Sequence, residues 1–430
     1  MALKYNPLSR LGFDESGTGG GSGSSGSITP NVGEVFFPDD YRRFLNYIAR
    51  YSSDEESTPI ADMEGLPIWS VRFTRLKTID NGMFFRSHLR TGEFPAAELV
   101  DISAFEDTSL FYINSPGKGE WGTTLPNVKE IKAFAFSECR YLREVSFPKV
   151  EKVGSYAFRN CTAMYKLELP ICTDFFFNAL QGCSRLEELN LPMANVLRGA
   201  TITTNRLYGT TGLRKILLPR MYEITDNHRN LFLDCVALEE IDINSMKYIP
   251  ATFFTNKIRL ERANVSDARY IGYAAFSGCQ SLTWLVNNNA TEIHPFAFHK
   301  CTALEELRLP SANNLDYMAI SDMYSLKKLE LLAPGGIIAC EYSATHGSIC
   351  NNPRLTEIKV PPVWSIPPTG ISFPNCSAIS AQSVIDIAGA LKPAATQTPI
   401  AFDAVVCDRI PTATTTMLQN KNYNIVKLGV

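Results

Sequence analysis

The sequence predicts an α/β protein that is mainly a solenoid of parallel β-strands, with about eleven coils of mostly 22 residues. A small N-terminal module and a C-terminal α/β cap complete the prediction. An apolar residue, most often phenylalanine, returns every 22 residues or slightly more, at positions 136, 158, 180, 207, 232, 254, 276, 298, 320, 349 and 373. Each copy is followed by a Leu-x-Leu-like string, such as Leu307–Leu309, which has the alternation of a short strand.

The chain starts with a short peptide at 1–15, followed by twelve residues of Gly, Ser and one Thr at 16–27. Such a run cannot bury apolar surface and is typical of a flexible linker. The alternative, a phosphate-binding glycine loop, needs a preceding strand and a closing Gly-Lys-Ser/Thr, and the sequence has neither. We therefore predict a linker that separates the peptide at 1–15 from the rest of the chain.

Residues 28–127 predict a small mixed module or N-terminal cap. Phe44, Ile48 and Tyr51 lie at helical spacing after an Asp that can cap a helix, which predicts a helix within 38–53. Short apolar runs follow around Pro67–Phe73 and Gly82–Phe85, with turn residues between them.

The cysteines are explained by the repeat, which we place at 128–380. Seven of the eleven share one repeat position, namely Cys139, Cys161, Cys183, Cys235, Cys279, Cys301 and Cys376. Other coils have Thr210, Lys257, Met323 and Asn352 at that position. A disulfide or a metal site would not accept those residues, and no CxxC pair is present. We predict a column of small buried side chains.

The pattern AFxxCxxLxxLxLP, seen at Ala135–Phe136, Cys139 and Leu142, resembles the BspA-like leucine-rich repeat over about Ile131 to Ser380. This resemblance implies a leucine-rich-repeat solenoid of the kind found in bacterial surface proteins and in some bacteriophage proteins. Residues 381–430 resemble the helix-and-strand segment that follows such repeats. A cap is also required physically, because the last coil would otherwise expose its apolar end to water.

Composition excludes several function classes. The formal net charge is -3, from 41 basic and 44 acidic residues, which argues against a nucleic-acid partner. The first residues lack the basic and apolar regions of a secretory signal, so we expect a chain that does not use the Sec route. No apolar run approaches 18 residues, and no membrane insertion is expected.

One outward position of the predicted strands carries charges that alternate in sign. Its residues in order are Glu144, Lys166, Glu188, Lys215, Glu240, Arg262, Trp284, Glu306, Lys328 and Glu357. Opposite charges on neighbouring strands stabilise a sheet by roughly 0.2–1 kcal/mol for each pair. The pattern favours a solvated ladder that holds the strands in register, with a charged ligand track as the alternative.

Binding residues are predicted at the ladder break and in the longer intervals between repeats. Trp284 interrupts the charged ladder, and it either contacts a sugar ring or partner protein, or packs against nearby loops. The longer intervals are typical of recognition loops, although loops also vary without function. Their aromatic and basic residues are Arg198, Tyr208, Tyr222, His228, Arg229, Tyr342 and His346.

The sequence gives no support for catalysis, a cofactor or a metal. The five histidines are scattered without an HExxH pair, and no Gly-x-Ser-x-Gly elbow is present. The acidic residues lie mainly in the charged ladder, so their pairing does not indicate glycosidase chemistry.

The first residues resemble the short N-terminal segments of phage tail and fibre proteins. The residues that carry this resemblance are Leu3, Lys4, Tyr5, Asn6, Pro7, Leu8, Phe13 and Asp14. It implies docking to other virion proteins, several copies in an assembly and location in the virion. We therefore expect a phage virion structural protein whose solenoid binds protein or host-surface glycan. A bacterial cell-surface or exported adhesin is the alternative.

Overall fold

The computed structural model describes residues 70–73, 76–118, 121–194, 196–198, 207–222, 231–333, 339–340, 343 and 345–429. The chain forms two compact units, one ending at Leu213 and the other starting at Arg214. The predicted linker at 16–27, the predicted helix within 38–53 and the peptide at 1–15 lie outside the described residues.

The first unit consists of short strands joined by turns, with one 3-10 helix at Phe177–Leu180. Its strands are β1 (Ser70–Arg72), β2 (Thr78–Ile79), β3 (Thr91–Glu93), β4 (Leu99–Val100), β5 (Tyr112–Ile113), β6 (Gly122–Thr123), β7 (Glu130–Ile131), β8 (Glu144–Ser146), β9 (Lys152–Val153), β10 (Lys166–Glu168), β11 (Asp174–Phe176), β12 (Glu188–Asn190) and β13 (Val196–Arg198). One longer sheet has the order β13-β11-β9-β7-β4-β2, and another has the order β10-β8-β5-β6. The described strand pairs within this unit are parallel.

Phenylalanine rings stack through the interior of the first unit. Phe105 and Phe136 have ring centroids 5.2 Å apart, and Phe136 and Phe158 have centroids 5.4 Å apart. The stack continues towards the N-terminus, where Phe84 lies 5.2 Å from Phe105. Because these rings are fully buried and repeat once per coil, they form the core of the solenoid.

The described part of the stretch at 28–127 differs from the predicted mixed module. Strand β2 pairs with β4, and β4 pairs with β7, so the parallel ladder already exists N-terminal to residue 128. Ser87 and Thr108 stand three residues after Phe84 and Phe105, where later coils have cysteine, and both are buried. These coils lack cysteine and lie outside the 22-residue spacing, which explains the difference from the prediction.

Among its described residues, the second unit contains the remaining strands and three helices. Its strands are β14 (Lys215–Leu217), β15 (Glu240–Asp242), β16 (Tyr248–Ile249), β17 (Arg262–Asn264), β18 (Tyr270–Ile271), β19 (Trp284–Val286), β20 (Glu292–Ile293), β21 (Glu306–Leu309), β22 (Asn314–Leu315), β23 (Ile320–Ser321), β24 (Lys328–Leu331), β25 (Ala339–Cys340), β26 (Ile349–Cys350), β27 (Glu357–Lys359), β28 (Ile371–Phe373), β29 (Thr398–Asp403) and β30 (Tyr423–Leu428). Its helices are α1 (Ala381–Ala390), α2 (Ala404–Cys407) and α3 (Thr412–Asn420).

Parallel pairing also organises the second unit. Strands β14, β15, β17 and β19 follow one another in one sheet, and β21, β24 and β27 form another. A further sheet has the order β16-β18-β20-β22-β25. Phe254 stacks at 5.7 Å on Phe232 and at 5.1 Å on Phe276, so the interior ring column is the same as in the first unit.

The predicted cysteine column is confirmed as a buried one. Cys161 Sγ donates to the carbonyl oxygen of Phe136 in the preceding coil at 3.2 Å, and Cys301 Sγ donates to that of Phe276 at 3.2 Å. Burial raises the pKa of Cys183 and Cys279 to about 12, so these thiols are not nucleophiles at neutral pH. The cysteines therefore fill space and satisfy a backbone carbonyl in each coil.

Each coil turns through residues with left-handed backbone conformations. The residue before the cysteine position has a φ of 56° at Asn160, 78° at Gly182, 75° at Gly278 and 60° at Lys300. Asparagine and glycine tolerate this conformation, whereas a lysine pays a steric cost. The repeat thus imposes the same corner on every sequence that occupies it.

The C-terminal part closes the second unit with an α/β segment. Ser380 accepts a hydrogen bond from the Ser383 backbone N–H at 3.2 Å and so caps α1. Ser383 Oγ also accepts from the backbone N–H of Ile358 at 3.1 Å, which joins α1 to β27. Strand β29 pairs with β28 on one side and β30 on the other, and the Phe373 and Phe402 rings stack at 5.2 Å.

The fold class predicted from the sequence is confirmed: parallel strands in repeated coils form a leucine-rich-repeat solenoid with a small helical C-terminal part. Within the described residues, no helix has the length and apolar character needed to cross a bilayer.

Candidate binding surface

The charged ladder lies on the strands in the predicted register. In the second unit, Lys215 is opposite Glu240, Glu240 is opposite Arg262, and Arg262 is opposite Trp284. Glu306, Lys328 and Glu357 form a second alternating series on β21, β24 and β27. In the first unit, Lys166 is opposite Glu144. Parallel strands in register bring these outward side chains side by side, so opposite charges meet without a change of backbone.

Glu330 lies on β24, two residues after the ladder residue Lys328, and pairs with three cations. Arg308 Nε lies 2.6 Å from Glu330 Oε2, and the Nζ atoms of Lys328 and Lys359 both lie 3.1 Å from Oε1. Burial raises the pKa of Glu330, but hydrogen bonds from the three cations outweigh burial and hold the pKa at about 2. The charged side chains of this cluster pair with one another, which favours a structural role for this part of the strand face.

Trp284 contacts the neighbouring strand rather than a loop. The guanidinium carbon of Arg262 lies 4.5 Å from the centroid of the Trp284 ring, in a cation–π contact. The side chain still exposes 39% of its surface. Because β19 is the last strand of its sheet, Trp284 stands at the edge of that ladder.

The predicted loop residues do not form one site in the described part of the chain. Tyr208 is 59% exposed in the first unit, and Tyr222 is exposed in the second. His346 is exposed, and its ring nitrogen lies 2.9 Å from Thr345 Oγ1. Among the described side chains of the second unit, no contact joins Tyr222, Trp284 and His346.

Several predicted residues lie outside the described part. The backbone of Arg198 belongs to β13, but its side chain is not described. His228, Arg229 and Tyr342 are also outside it, as are the proposed docking residues Leu3 to Leu8, Phe13 and Asp14.

A group of aromatic side chains that the sequence analysis missed lies on the strand face of the first unit. We call it the aromatic cluster, and its members are Phe111, Tyr112, Trp121, Tyr141 and Tyr165. Strand β5 pairs with both β6 and β8, which brings residues from distant parts of the sequence together. Trp121 is 45% exposed and Tyr141 is 57% exposed.

The rings of the aromatic cluster contact one another at angled geometries. Phe111 and Trp121 have centroids 5.2 Å apart with an interplanar angle of 72°. Phe111 and Tyr141 have centroids 5.8 Å apart with an angle of 35°. The edge-to-face contact with Trp121 and the tilted contact with Tyr141 orient the rings, so the exposed faces of Trp121 and Tyr141 are held around the half-buried Phe111.

Charged side chains lie between the rings. Lys118 Nζ is 4.6 Å from the centroid of Tyr112 and 2.7 Å from Glu144 Oε1. The guanidinium carbon of Arg143 is 5.7 Å from the centroid of Phe111. Tyr165 donates its hydroxyl hydrogen to Glu144. Hydrogen bonds from Lys118 and Tyr165 lower the pKa of Glu144, which is therefore ionised at neutral pH.

The sequence did contain a signal for the coil that carries part of this cluster. Phe105, Thr108 and Leu110 follow the Phe-Cys-Leu spacing of the 22-residue coils, except that the last interval is one residue shorter. Thr108 Oγ1 donates to the carbonyl oxygen of Phe105 at 2.9 Å, and Leu110 is fully buried. Extending the column to Thr108, as Thr210 already allows, would have placed Tyr112 on a strand beside Phe111.

Two histidines of the second unit lie beside carboxylates, and the described residues form no metal-binding group. No group of three His, Cys, Asp or Glu side chains in the described ranges is arranged to hold a metal ion. His294 Nδ1 lies 3.1 Å from Asp316, and His299 Nδ1 lies 3.0 Å from Asp322. Ser321 Oγ also lies 3.0 Å from His299 Nδ1, and it donates to the carbonyl oxygen of Met318 at 2.8 Å.

Sequence comparison identifies the repeat. The family described as BspA type leucine rich repeat region matches residues 121–227, 195–286 and 269–362, in six copies, and together these ranges cover more than half of the chain. No curated protein sequence matches the chain.

Several solved structures are similar to the chain. A leucine-rich repeat protein from Bacteroides ovatus shares 14% identity, with 88% of this chain and 100% of that chain covered and a TM-score of 0.43. A leucine rich cell surface protein from Faecalibacterium prausnitzii shares 14% identity, with 85% and 84% covered and a TM-score of 0.28. A leucine-rich repeat protein from Leptospira interrogans shares 10% identity, with 85% and 96% covered and a TM-score of 0.32.

Proposed function

The chain belongs to the BspA-type leucine-rich repeat family, and from this premise we propose that it is a non-catalytic binding protein that recognises a partner through the strand face of its solenoid. Repeat proteins present extended surfaces built from successive coils, and such surfaces suit recognition of other molecules. The charged ladder gives this face a nearly balanced charge, which disfavours a polyanion as the partner.

The aromatic cluster is the observation that carries the proposal. Exposed tryptophan and tyrosine side chains beside an arginine are the residue types that dominate binding energy at recognition surfaces. Trp121 and Tyr141 remain exposed although apolar burial would stabilise them, and their rings are oriented by Phe111. A surface held in this way is preorganised for binding a partner.

Two biological settings fit this function. In the first, the chain is a phage virion protein: residues 1–15 dock to other virion proteins, the linker at 16–27 gives reach, and the solenoid faces a host-surface receptor or glycan. Several copies in one particle would then strengthen weak binding by multivalency. The likeness of residues 1–15 to tail and fibre segments supports this setting. In the second, a bacterium displays or exports the chain as an adhesin, and the repeat family supports that setting.

Mass spectrometry of purified particles tests the virion setting. Recovery of the chain in washed virions, and its loss when residues 1–15 are deleted, would support docking. Protease treatment of intact bacterial cells that releases the repeats would instead support the adhesin setting. Absence of the chain from purified virions would contradict the first setting. Failure of the protease to release the repeats from intact cells would contradict the second.

A cell-binding assay tests the binding function in either setting. The labelled full chain is incubated with cells of the phage host or source bacterium, and attachment is compared with that of a variant carrying Trp121→Ala and Tyr141→Ala. We expect attachment to fall at least about tenfold, since each of these exposed anchors contributes on the order of 1–2 kcal/mol. Tyr273→Ala, which removes a similarly exposed tyrosine outside the aromatic cluster and outside the predicted binding residues, is the matched control. Equal attachment by all three proteins would contradict binding through the aromatic cluster.

A further inference from the structure

The aromatic cluster has a pattern of rings and charges that narrows the chemistry of its partner. We propose that it binds an uncharged saccharide chain, which lies across Trp121 and Tyr141 and forms hydrogen bonds with Arg143 and Glu144. This inference rests on the proposed binding function and adds the chemical class of the ligand.

The rings supply apolar faces of the size that a sugar needs. A pyranose ring presents polarised C–H bonds on one face, and these are attracted to the electron-rich face of an aromatic ring. Trp121 and Tyr141 are both more than a third exposed, and both contact the same side chain, Phe111. Two faces around one buried ring can therefore support more than one sugar of a chain.

The polar groups between the rings still have capacity to form hydrogen bonds. Arg143 directs one guanidinium N–H towards Tyr112 Oη at 3.4 Å, out of five donors that it carries. Glu144 Oε1 accepts from Lys118 and Tyr165, while no described residue donates to its Oε2. The indole N–H of Trp121 has no acceptor among the described residues. Sugar hydroxyls both donate and accept, so they match this mixture of a free carboxylate oxygen and free N–H groups.

The position of the charges disfavours the main alternative, a protein partner. Protein interfaces tend to lack lysine and glutamate at their centre, although arginine is common there. Here Lys118, Arg143 and Glu144 lie among the rings, with Lys118 and Arg143 placed against ring faces. A protein that covered the aromatic cluster would have to desolvate these three charges, whereas a saccharide can replace their water with hydroxyl groups.

The balance of charge disfavours an acidic polysaccharide. Lys118 pairs with Glu144 at 2.7 Å, and next to it Lys166 pairs with Glu168 at 2.8 Å. Arg143 is thus the one cation of this group without a carboxylate partner among the described residues. A polyanion site would show several unpaired cations, so a neutral chain fits the aromatic cluster better.

Direct titration with defined saccharides tests the inference. The full chain is titrated with a soluble neutral glucan, with an N-acetylhexosamine hexamer and with heparin, and tryptophan fluorescence and calorimetry are recorded. We expect a neutral saccharide to bind, with affinity unchanged within about twofold between 50 and 500 mM salt, because no ion pair forms. Trp121→Ala should weaken binding at least about tenfold, and Glu144→Gln by a smaller factor.

The controls separate this inference from the binding function itself. Tyr273→Ala should bind the saccharide as the wild type does, and thermal melting of each variant checks that the fold is intact. Absence of neutral-saccharide binding at about 10 mM, or salt-sensitive binding of heparin alone, would overturn the inference. If Trp121→Ala abolishes attachment to cells while no saccharide binds, the saccharide inference fails and a protein partner replaces it, but the binding function stands.

Discussion

At the scale of single residues, one column of side chains forms hydrogen bonds with the backbone as well as packing in the core. Cys161 and Cys301 each donate to a carbonyl oxygen of the preceding coil, and Asn352 does the same to Ile320 at 3.0 Å. Asparagine and cysteine differ in volume and polarity, but both supply a donor at this point. The column therefore favours a short side chain that donates a hydrogen bond to a buried carbonyl oxygen. From sequence periodicity alone, this requirement is visible only as a preference for cysteine.

Lys257 is the exception that costs stability in this column. It is nearly fully buried, and its Nζ donates to the Leu233 carbonyl oxygen at 2.9 Å. Burial lowers the pKa of Lys257 from its ordinary value of 10.5, because desolvation of the ammonium group outweighs the opposing effect of Asp234. The coil tolerates this residue because the long side chain reaches a neighbouring carbonyl.

We predict that Lys257→Met raises the free energy of unfolding by about 1–2 kcal/mol at neutral pH, because a buried ammonium is replaced by an apolar group of similar length. The folded pKa lies below the unfolded one, so the wild type gains stability as pH rises from the folded pKa to 10.5, and its deficit relative to the variant shrinks. Urea unfolding at several pH values measures both effects.

An exposed lysine provides the comparison for this prediction. Lys247, whose Nζ lies 2.6 Å from Asp267 at the surface, is changed to Met in parallel and should alter stability by less than about 1 kcal/mol. A Lys257→Met protein that is less stable than the wild type at neutral pH would show that the Leu233 contact outweighs desolvation.

At the scale of the coil, two features recur from one coil to the next, namely the strand register and the left-handed corner. The register follows from the 2-residue alternation and is readable from the sequence, as the confirmed pairing of Arg262 with Trp284 illustrates. The corner is less readable, because Asn160 and Gly182 suit a positive φ but Glu138, with a φ of 61°, does not. Local preference is overridden there by the packing of the coil on its neighbours.

We predict opposite effects for two substitutions at equivalent corners. Gly278 has a φ of 75°, and a Cβ there would lie 2.4 Å from Asn256 Oδ1, so Gly278→Ala should lower the free energy of unfolding by about 1–2 kcal/mol. Lys300 has a φ of 60°, and Lys300→Gly should raise it by about 0.5–1 kcal/mol through relief of that strain. Equilibrium urea unfolding measures both.

Gly389 is a suitable control for the corner glycine. It lies inside α1, and an added Cβ would meet no atom within 4 Å. Gly389→Ala should stabilise the protein by up to about 1 kcal/mol. If Gly278→Ala were also stabilising, the left-handed corner would carry no steric cost in this fold.

The candidate binding surface was less predictable than the coils. Trp284 was identified because it interrupts a regular charged series, and the structure shows its contact with Arg262. The aromatic cluster was missed because Phe111 and Trp121 are brought together by pairing of β5 with β6, in coils that depart from the 22-residue spacing. Periodicity predicts which residues face outward, but pairing between irregular coils decides which of them meet.

At the scale of the whole molecule, a solenoid needs an end that does not expose its core. In the second unit, α1 packs with Val384 and Ile387 inward and is joined to β27 through Ser383. Lys421 Nζ donates to the carbonyl oxygens of Ala388, Gly389 and Leu391 at 2.7–3.0 Å, which satisfies the C-terminal end of that helix. The C-terminal part is thus tied to the repeats by both apolar and polar contacts.

We predict that removal of residues 381–430 lowers the stability of the second unit by several kcal/mol, because the buried side chains of α1 each contribute about 1.5–3 kcal/mol. Near-UV circular dichroism and binding of a hydrophobic dye measure the loss of packing. Lys421→Met, which removes the three carbonyl contacts but keeps the segment, should cost only about 1–3 kcal/mol. A truncated chain that keeps a cooperative transition at the wild-type midpoint would show that the last coil needs no cover.

The hydrogen bond from the cysteine position to the preceding coil also affects how such a chain can change in length during evolution. In the coils that carry Cys161, Cys183, Cys279 and Cys301, the thiol donates to the phenylalanine carbonyl oxygen of the preceding coil, at the same atoms and in the same register. An in-frame duplication or loss of one 22-residue segment in the gene would recreate the same contacts at the new junction. Unequal recombination can therefore change the length of the protein by whole coils in a single event, without a new core having to evolve.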